Sequence, residues 1–160
     1  MLAGQISDPV HRLLRAVVLA LCPLVHGCVD VHGGAVELSW KLRAATGSQE
    51  TFLNCGFDLA PGGTAEISRI ELAWDVGGMH GSSSWACGDD HGVTGFELPE
   101  GQALLSVSPI CANGETAAPD TYTAPAPEAR DVIAGNTISL GGVEMLLEVS
   151  SCNFQTCICQ

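Results

Sequence analysis

The chain has 160 residues, of which 46% are hydrophobic and only 15% charged, and its formal net charge is −12. That composition belongs to a folded chain rather than a disordered one, and the length suits a single domain. So acidic a chain, with no basic stripe, repels phosphate backbones and excludes nucleic-acid binding from the expected functions.

Arg12 and Arg15 precede ten apolar residues at positions 16–25 (AVVLALCPLV). A helix of that length falls short of the ~30 Å hydrocarbon core, which takes about 20 residues to cross. A basic segment, a short apolar run and then small residues form the pattern of a secretory signal. It is expected to be helical within residues 1–27, with Pro23 ending the helix ahead of the cleavage point. Val25-His26-Gly27-Cys28 then resembles the bacterial lipobox, with an aliphatic residue three places before the cysteine and a small residue next to it. His26 departs from that pattern, which has a small residue at this place. The resemblance implies that Cys28 becomes the first residue of the mature chain and carries diacylglycerol on its sulfur. The alternative is an ordinary cut near Gly27 that leaves Cys28 as half of a disulfide. The covalent lipid is the one prosthetic group expected, and no cofactor is. The membrane becomes a partner through the anchor, and residues 28–34 (CVDVHGG) read as a short tether. Residues 28–160 hold seventeen acidic and four basic side chains, a net charge of −13. Val29 stands where an aspartate would favour inner-membrane retention in enteric bacteria. The resemblance therefore points to the outer membrane or cell surface of a Gram-negative bacterium.

Residues 35–43 (AVELSWKLR) alternate with a period of two, placing Val36, Leu38, Trp40 and Leu42 on one face and Glu37, Ser39, Lys41 and Arg43 on the other. That period predicts a half-buried strand. A turn at 47–49 leads to a second strand over 51–59, closed by residues 60–63 (APGG). Residues 67–76 alternate again, with Ile70, Leu72, Trp74 and Val76 inward and Glu71 and Asp75 outward. Residues 77–84 (GGMHGSSS), small and polar, read as a loop. Short strands follow over 92–98 and 103–111, separated by the turn at 99–101, and Asn113-Gly114 is a turn signal. Pro125 and Pro127 leave residues 122–132 extended but poor in pairing amides, which suits an edge strand or a linker. After the Gly135-Asn136 turn, 137–140 and 143–149 are the last strands.

The richest chemistry in the sequence lies at residues 79–91 (MHGSSSWACGDDH). His80, Cys87, Asp89 and His91 offer nitrogen, sulfur and oxygen to a metal, and Met79 is near, as in blue-copper sandwiches. In such proteins, however, the methionine follows the cysteine and histidine, whereas Met79 precedes them. Ser82, Ser83 and Ser84 near His80 and Asp89 raise a hydrolase reading, but the stretch is not G-x-S-x-G and no strand-to-helix elbow precedes it. The structural reading is a glycine-rich connection, a solvated Asp89-Asp90 turn and a cysteine that serves as a staple.

With Cys22 removed and Cys28 lipidated, six cysteines remain: Cys55, Cys87, Cys111, Cys152, Cys157 and Cys159. An even set in an exported chain predicts disulfides, and six cysteines allow 15 pairings. Cys55 with Cys87 is the favoured pair, because the two flank a predicted hairpin. The tail, residues 151–160, has C-x4-C and C-x-C spacings that do not match paired zinc ligands, so stapling to the domain is its expected role.

About seven or eight short strands, and no amphipathic helix after the signal, predict an all-β fold: an antiparallel β-sandwich over residues 35–150. The stretch from Tyr122 through Arg130-Asp-Val-Ile-Ala-Gly-Asn-Thr-Ile-Ser-Leu140 to Val149 resembles the end of prealbumin-like or Ig-like sandwich domains such as Cna-B and carboxypeptidase-regulatory repeats. The layout as a whole is similar to small lipoproteins of Gram-negative bacteria. The resemblance brings no catalytic residue. Lys41, the only lysine, points outward, so no isopeptide bond is expected. The expected function is that of a non-catalytic, lipid-anchored envelope protein, a structural or interaction module whose partner is an envelope protein or a glycan. The alternative is a metal-binding or redox sandwich using residues 79–91.

Overall fold

The computed structural model describes residues 31–45, 52–60, 62–150, 152 and 157–160. The expected signal segment, residues 1–27, and Cys28 lie outside the described residues. Among the described residues ten strands form two sheets. The first holds β1 (Ala35–Ala44), β2 (Phe52–Leu53), β6 (His91–Val93), β8 (Tyr122–Thr123) and β10 (Thr137–Leu147). The second holds β3 (Gly56–Asp58), β4 (Thr64–Val76), β5 (Met79–Ala86), β7 (Gly101–Cys111) and β9 (Glu128–Val132). Among the described residues the only helical piece is one 3-10 turn, Cys87–Asp89.

The centre of the first sheet is β1 beside β10, and these two run parallel. That corrects the expectation of a purely antiparallel fold: the first and last strands lie side by side in the same direction, so this sheet is mixed. β2 and β6 share the other edge of β1, one at each end of it. In the second sheet β4 pairs antiparallel with β7 over nearly its whole length, while β3 and β5 divide the opposite edge of β4.

Inward residues of both sheets meet in one core. Val36, Leu38, Trp40 and Leu42 of β1 are buried with Val143, Met145 and Leu147 of β10, against Ile67, Ile70, Leu72 and Val76 of β4 and Ala103 and Leu105 of β7. This is the alternation read from residues 35–43 and, from Ile70 to Val76, that read from 67–76, expressed as burial; Trp74 is only partly buried, and a bulge between Ile67 and Arg69 puts Ile67 out of that phase. Each such aliphatic side chain stabilises the fold by about 1.5–3 kcal/mol relative to exposure. Among the described residues no buried side-chain nitrogen or oxygen lacks a hydrogen-bond partner. Thr94, one of two buried polar residues, accepts the Val36 N–H at 2.9 Å and donates to the Gly95 carbonyl at 2.8 Å.

Four expected elements are different in the structure. The stretch 77–84 is not a loop: Gly77 and Gly78 form the two-residue turn of a hairpin, and β5 follows it. Both glycines have positive φ, +59° and +88°, the conformation of a type I′ turn, and Val76 pairs with Met79 across it. The second predicted strand is split at Cys55 into β2 and β3, which belong to different sheets. The last two predicted strands are one, β10. Leu140 and Gly141 form a bulge opposite Leu38, and Gly141 takes φ +66° there. The regular strand is His91–Val93, so only residues 92 and 93 of the predicted 92–98 strand belong to it, and Leu98 makes an isolated bridge to Gly34.

That bridge also revises the tether. Gly34 exchanges two hydrogen bonds with Leu98, at 2.9 and 3.2 Å, and the Gly33 carbonyl accepts the Gly135 N–H at 2.9 Å. Residues 33–34 are therefore docked on the domain rather than loose. Residues 124–127 cross between the sheets from β8 to β9, which gives Pro125 and Pro127 a place where no ladder bond is needed.

Candidate functional site

The chain between the two sheets turns sharply at Cys87. β5 ends in one sheet, the 3-10 turn Cys87–Asp89 follows, and β6 opens in the other. Asp90 adopts the left-handed conformation, φ +56°, and its carbonyl accepts the Trp40 N–H at 3.1 Å. The turn thus fills the stretch of the β1 edge between β6 and β2. Cys87 is bonded to Cys55, which sits where the chain makes another of its crossings, from β2 to β3. One disulfide therefore ties together two connections between the sheets. The indole N–H of Trp40 donates to the Cys87 carbonyl at 2.8 Å, and the Trp40 and Trp85 rings stack across the core with centroids 6.2 Å apart.

Two glycines make room for tryptophan rings. Gly92 lies under Trp85 and Gly81 under Trp74, and a Cβ at either would come 2.6 Å from ring carbon Cε2. Gly92→Ala should therefore destabilise the domain by about 1–3 kcal/mol, because the Trp85 ring is also packed against Trp40 and has to shift within the core. Gly56→Ala, where a Cβ meets nothing within 4 Å, should stay within about 0.5 kcal/mol of the parent. Thermal melts of the two variants check the contrast, and equal shifts would refute the slot.

The structure separates the proposed metal ligands. His80 is exposed on the outer face of β5, with Nδ1 3.7 Å from an Asp75 carboxylate oxygen. His91 is in the other sheet, paired with Ser39. The Cys87 sulfur is in a disulfide, and Asp89 is exposed in the turn. Among the described residues no three His, Cys, Asp or Glu side chains are gathered to hold a metal ion. The serines are similarly dispersed: Ser83 donates to Glu97 at 2.8 Å, whereas Ser84 accepts from Arg69 Nε at 2.9 Å. Burial raises the pKa of the Tyr122 phenol above its ordinary value.

The six cysteines from Cys55 onward are all paired with one another: Cys55–Cys87, Cys111–Cys159 and Cys152–Cys157. The second holds the tail on the domain and the third closes a short loop within the tail, where Ile158 is fully buried and its N–H donates to the Glu148 carbonyl at 3.3 Å.

What the corner does build is a cleft of about 580 Å³ beside β1, between β2 and the 3-10 turn, lined by Lys41, Phe52, Leu53, Cys55, Cys87 and Asp90 among others. Phe52 is half exposed at its lip. Lys41 Nζ lies 5.0 Å from the centre of that ring and Arg43 Cζ 5.6 Å from it, within cation–π range. Arg43 Nη1 also meets Glu144 Oε1 at 2.7 Å. Two of the four basic residues after Cys28 therefore sit on one aromatic side chain at the mouth of a cleft. Sequence reading missed this site. Its one signal was the outward placement of Lys41 and Arg43 on β1. Chemically it offers Leu42, Leu53 and the Phe52 ring beside the cations of Lys41 and Arg43, with Ser39 and Asp90 also on its lining. No family model, curated protein or solved structure matches the chain.

Proposed function

We propose that this protein is a non-catalytic module of the bacterial envelope, exported and then anchored to a membrane by a lipid on Cys28. The observation that carries the proposal is the closed disulfide set. Six cysteines satisfy one another in three bonds, which suits an oxidising compartment and leaves none of them as a partner for Cys28. The lipobox-like sequence at 25–28 supplies a use for that seventh sulfur. In the proposed step the Cys28 thiol loses its proton and its sulfur takes a diacylglyceryl group from a phospholipid, whose phosphate headgroup leaves. Hydrolysis of the Gly27–Cys28 peptide bond then frees the lipidated chain from its signal.

The architecture we infer is a β-sandwich of Ig-like or prealbumin-like type, supported by two sheets on one core. The cleft at Phe52 is the proposed surface for a partner, an envelope protein or a glycan. Its cationic rim on an otherwise acidic domain favours a partner that presents carboxylates or other anionic groups there. The dispersal of His80, Cys87, Asp89 and His91 turns the reading away from metal binding.

The test is the intact mass of protein recovered from the membrane fraction of a Gram-negative host. The expected mass is that of residues 28–160 plus an acylated glyceryl group, with no thiol alkylated before reduction. Cys28→Ser should leave the protein out of the membrane fraction altogether. An unmodified chain in the soluble fraction, from the parent sequence, would sink the lipoprotein reading.

A further inference from the structure

The exposed large apolar side chains are not spread evenly over this domain. Seven are exposed among the described residues: Val31, Phe52, Met79, Val93, Phe96, Leu104 and Ile133. Four of them, Val31, Met79, Phe96 and Ile133, belong to segments at one end of the two sheets. β1, β7 and β10 begin at that end, and β4 turns there into β5 through Gly77-Gly78. Gly33 and Gly34 are its centre: they are hydrogen-bonded to Leu98 on one side and to Gly135 on the other, so residues 31, 96 and 133 each stand two residues from this junction. Met79 joins them through Val76, which pairs with both Met79 and Ala103. Val93, paired with Glu37 on β1, adjoins the same end. The three disulfides lie towards the opposite end, near the start of β4 and the ends of β7 and β10.

The apolar end is also where the chain leaves the domain towards Cys28. Val29 and Asp30 alone separate Cys28 from Val31. A fully extended chain advances at most ~3.6 Å per residue, so a lipid on Cys28 lies within roughly 11 Å of Val31. An anchored domain on so short a lead cannot stand clear of the bilayer.

We propose that the end formed by Val31, Met79, Phe96 and Ile133 is a membrane-docking surface, seated on the lipid headgroup and upper acyl region once Cys28 is anchored. This rests on the lipid-anchor reading. The occupant is a zwitterionic lipid surface, and the charges at the same end decide that choice. Asp75, Glu97, Glu100 and Asp131 all lie near it, against the single arginine Arg130, which is ion-paired with Glu128, so an anionic surface is repelled. The same acids give the unanchored domain no affinity of its own. The anchor supplies the local concentration, and the apolar tips fix which end faces the membrane. The opposite end, with the stapled tail, is thereby presented outward.

The experiment uses the full lipidated protein in phosphatidylcholine vesicles with brominated acyl chains, which quench tryptophan on contact. Phe96→Trp and Ile133→Trp each add a reporter at the docking end, and Phe52→Trp adds one at the cleft. All three positions are half exposed, so the fold should accept the change. Flotation and intact mass are read on the same samples. For side chains seated about 5–10 Å deep, the added emission at 96 and 133 should fall by about half or more, with little change at 52. Replacing a third of the lipid with phosphatidylglycerol should weaken the quenching. Protein that floats with the correct lipidated mass but shows equal quenching, or none, at the three positions overturns the docking surface and leaves the anchor standing. Stronger quenching on anionic vesicles overturns the choice of lipid. An unmodified protein that does not float overturns both proposals together.

Discussion

Changing Cys111 and Cys159 together to alanine should lower the unfolding free energy of the domain by about 4 kcal/mol, against about 2 kcal/mol for Cys152 with Cys157. The difference follows from chain entropy. The first bond closes a loop of sequence separation 48, the second one of only 5, and the cost of closing a loop rises with the logarithm of its length. Cys55 with Cys87, at separation 32, should fall close to the first. Native contacts add to the effect at Cys111–Cys159. That bond holds the tail in place, and beside it Cys157 and Ile158 are buried in the core cluster. A freed tail withdraws Ile158 and leaves the Glu148 carbonyl without that donor. Urea unfolding of the three paired variants, without reductant, gives the order directly. Equal losses in all three would show that loop closure is not what these bonds contribute.

The parts of this fold that could be read in the sequence are those where one face of a strand is buried and the other is wet. β1 carries its alternation in full and β4 carries it from Ile70 to Val76, after a bulge between Ile67 and Arg69, because each is central to its sheet and turns one side to the core. β5 could not be found that way. Its inward positions include Gly81 and Ser83, since the Trp74 ring occupies the space above Gly81 that a side chain would otherwise fill. The stretch therefore shows no period-two hydrophobicity, although its backbone pairs with β4 along eight residues. The Gly77-Gly78 pair after an alternating strand was the available signal, since two glycines between strands fit a type I′ turn. The split at Cys55 was hidden for a different reason. A strand that changes sheets midway looks like one strand in sequence, and only the pairing partners distinguish β2 from β3. The cleft at Phe52 shares that difficulty. Lys41 and Phe52 meet because β2 folds back on the far end of β1, and that register is not written in either segment alone.

Trp40→Ala should be among the most damaging single substitutions in the protein, costing about 3–5 kcal/mol. The residue holds three things at once. Its ring is almost fully buried between the sheets, it stacks on Trp85, and its indole N–H is bonded to the carbonyl of Cys87. Removing it leaves a void under the corner where the β2–β3 and β5–β6 crossings are tied by the Cys55–Cys87 bond. Trp40→Phe separates the contributions. Phenylalanine keeps much of the ring burial and can still face Trp85, but it has no donor for the Cys87 carbonyl. That carbonyl retains only the long turn contact from the Asp90 N–H, at 3.5 Å, so the loss should be about 1–2 kcal/mol. Denaturant unfolding of the two variants, followed by near-ultraviolet circular dichroism, measures both values. If phenylalanine costs as much as alanine, the hydrogen bond to the corner outweighs the packing of the ring. The Phe52 cleft, whose floor is that same corner, would then lose its shape in both variants alike.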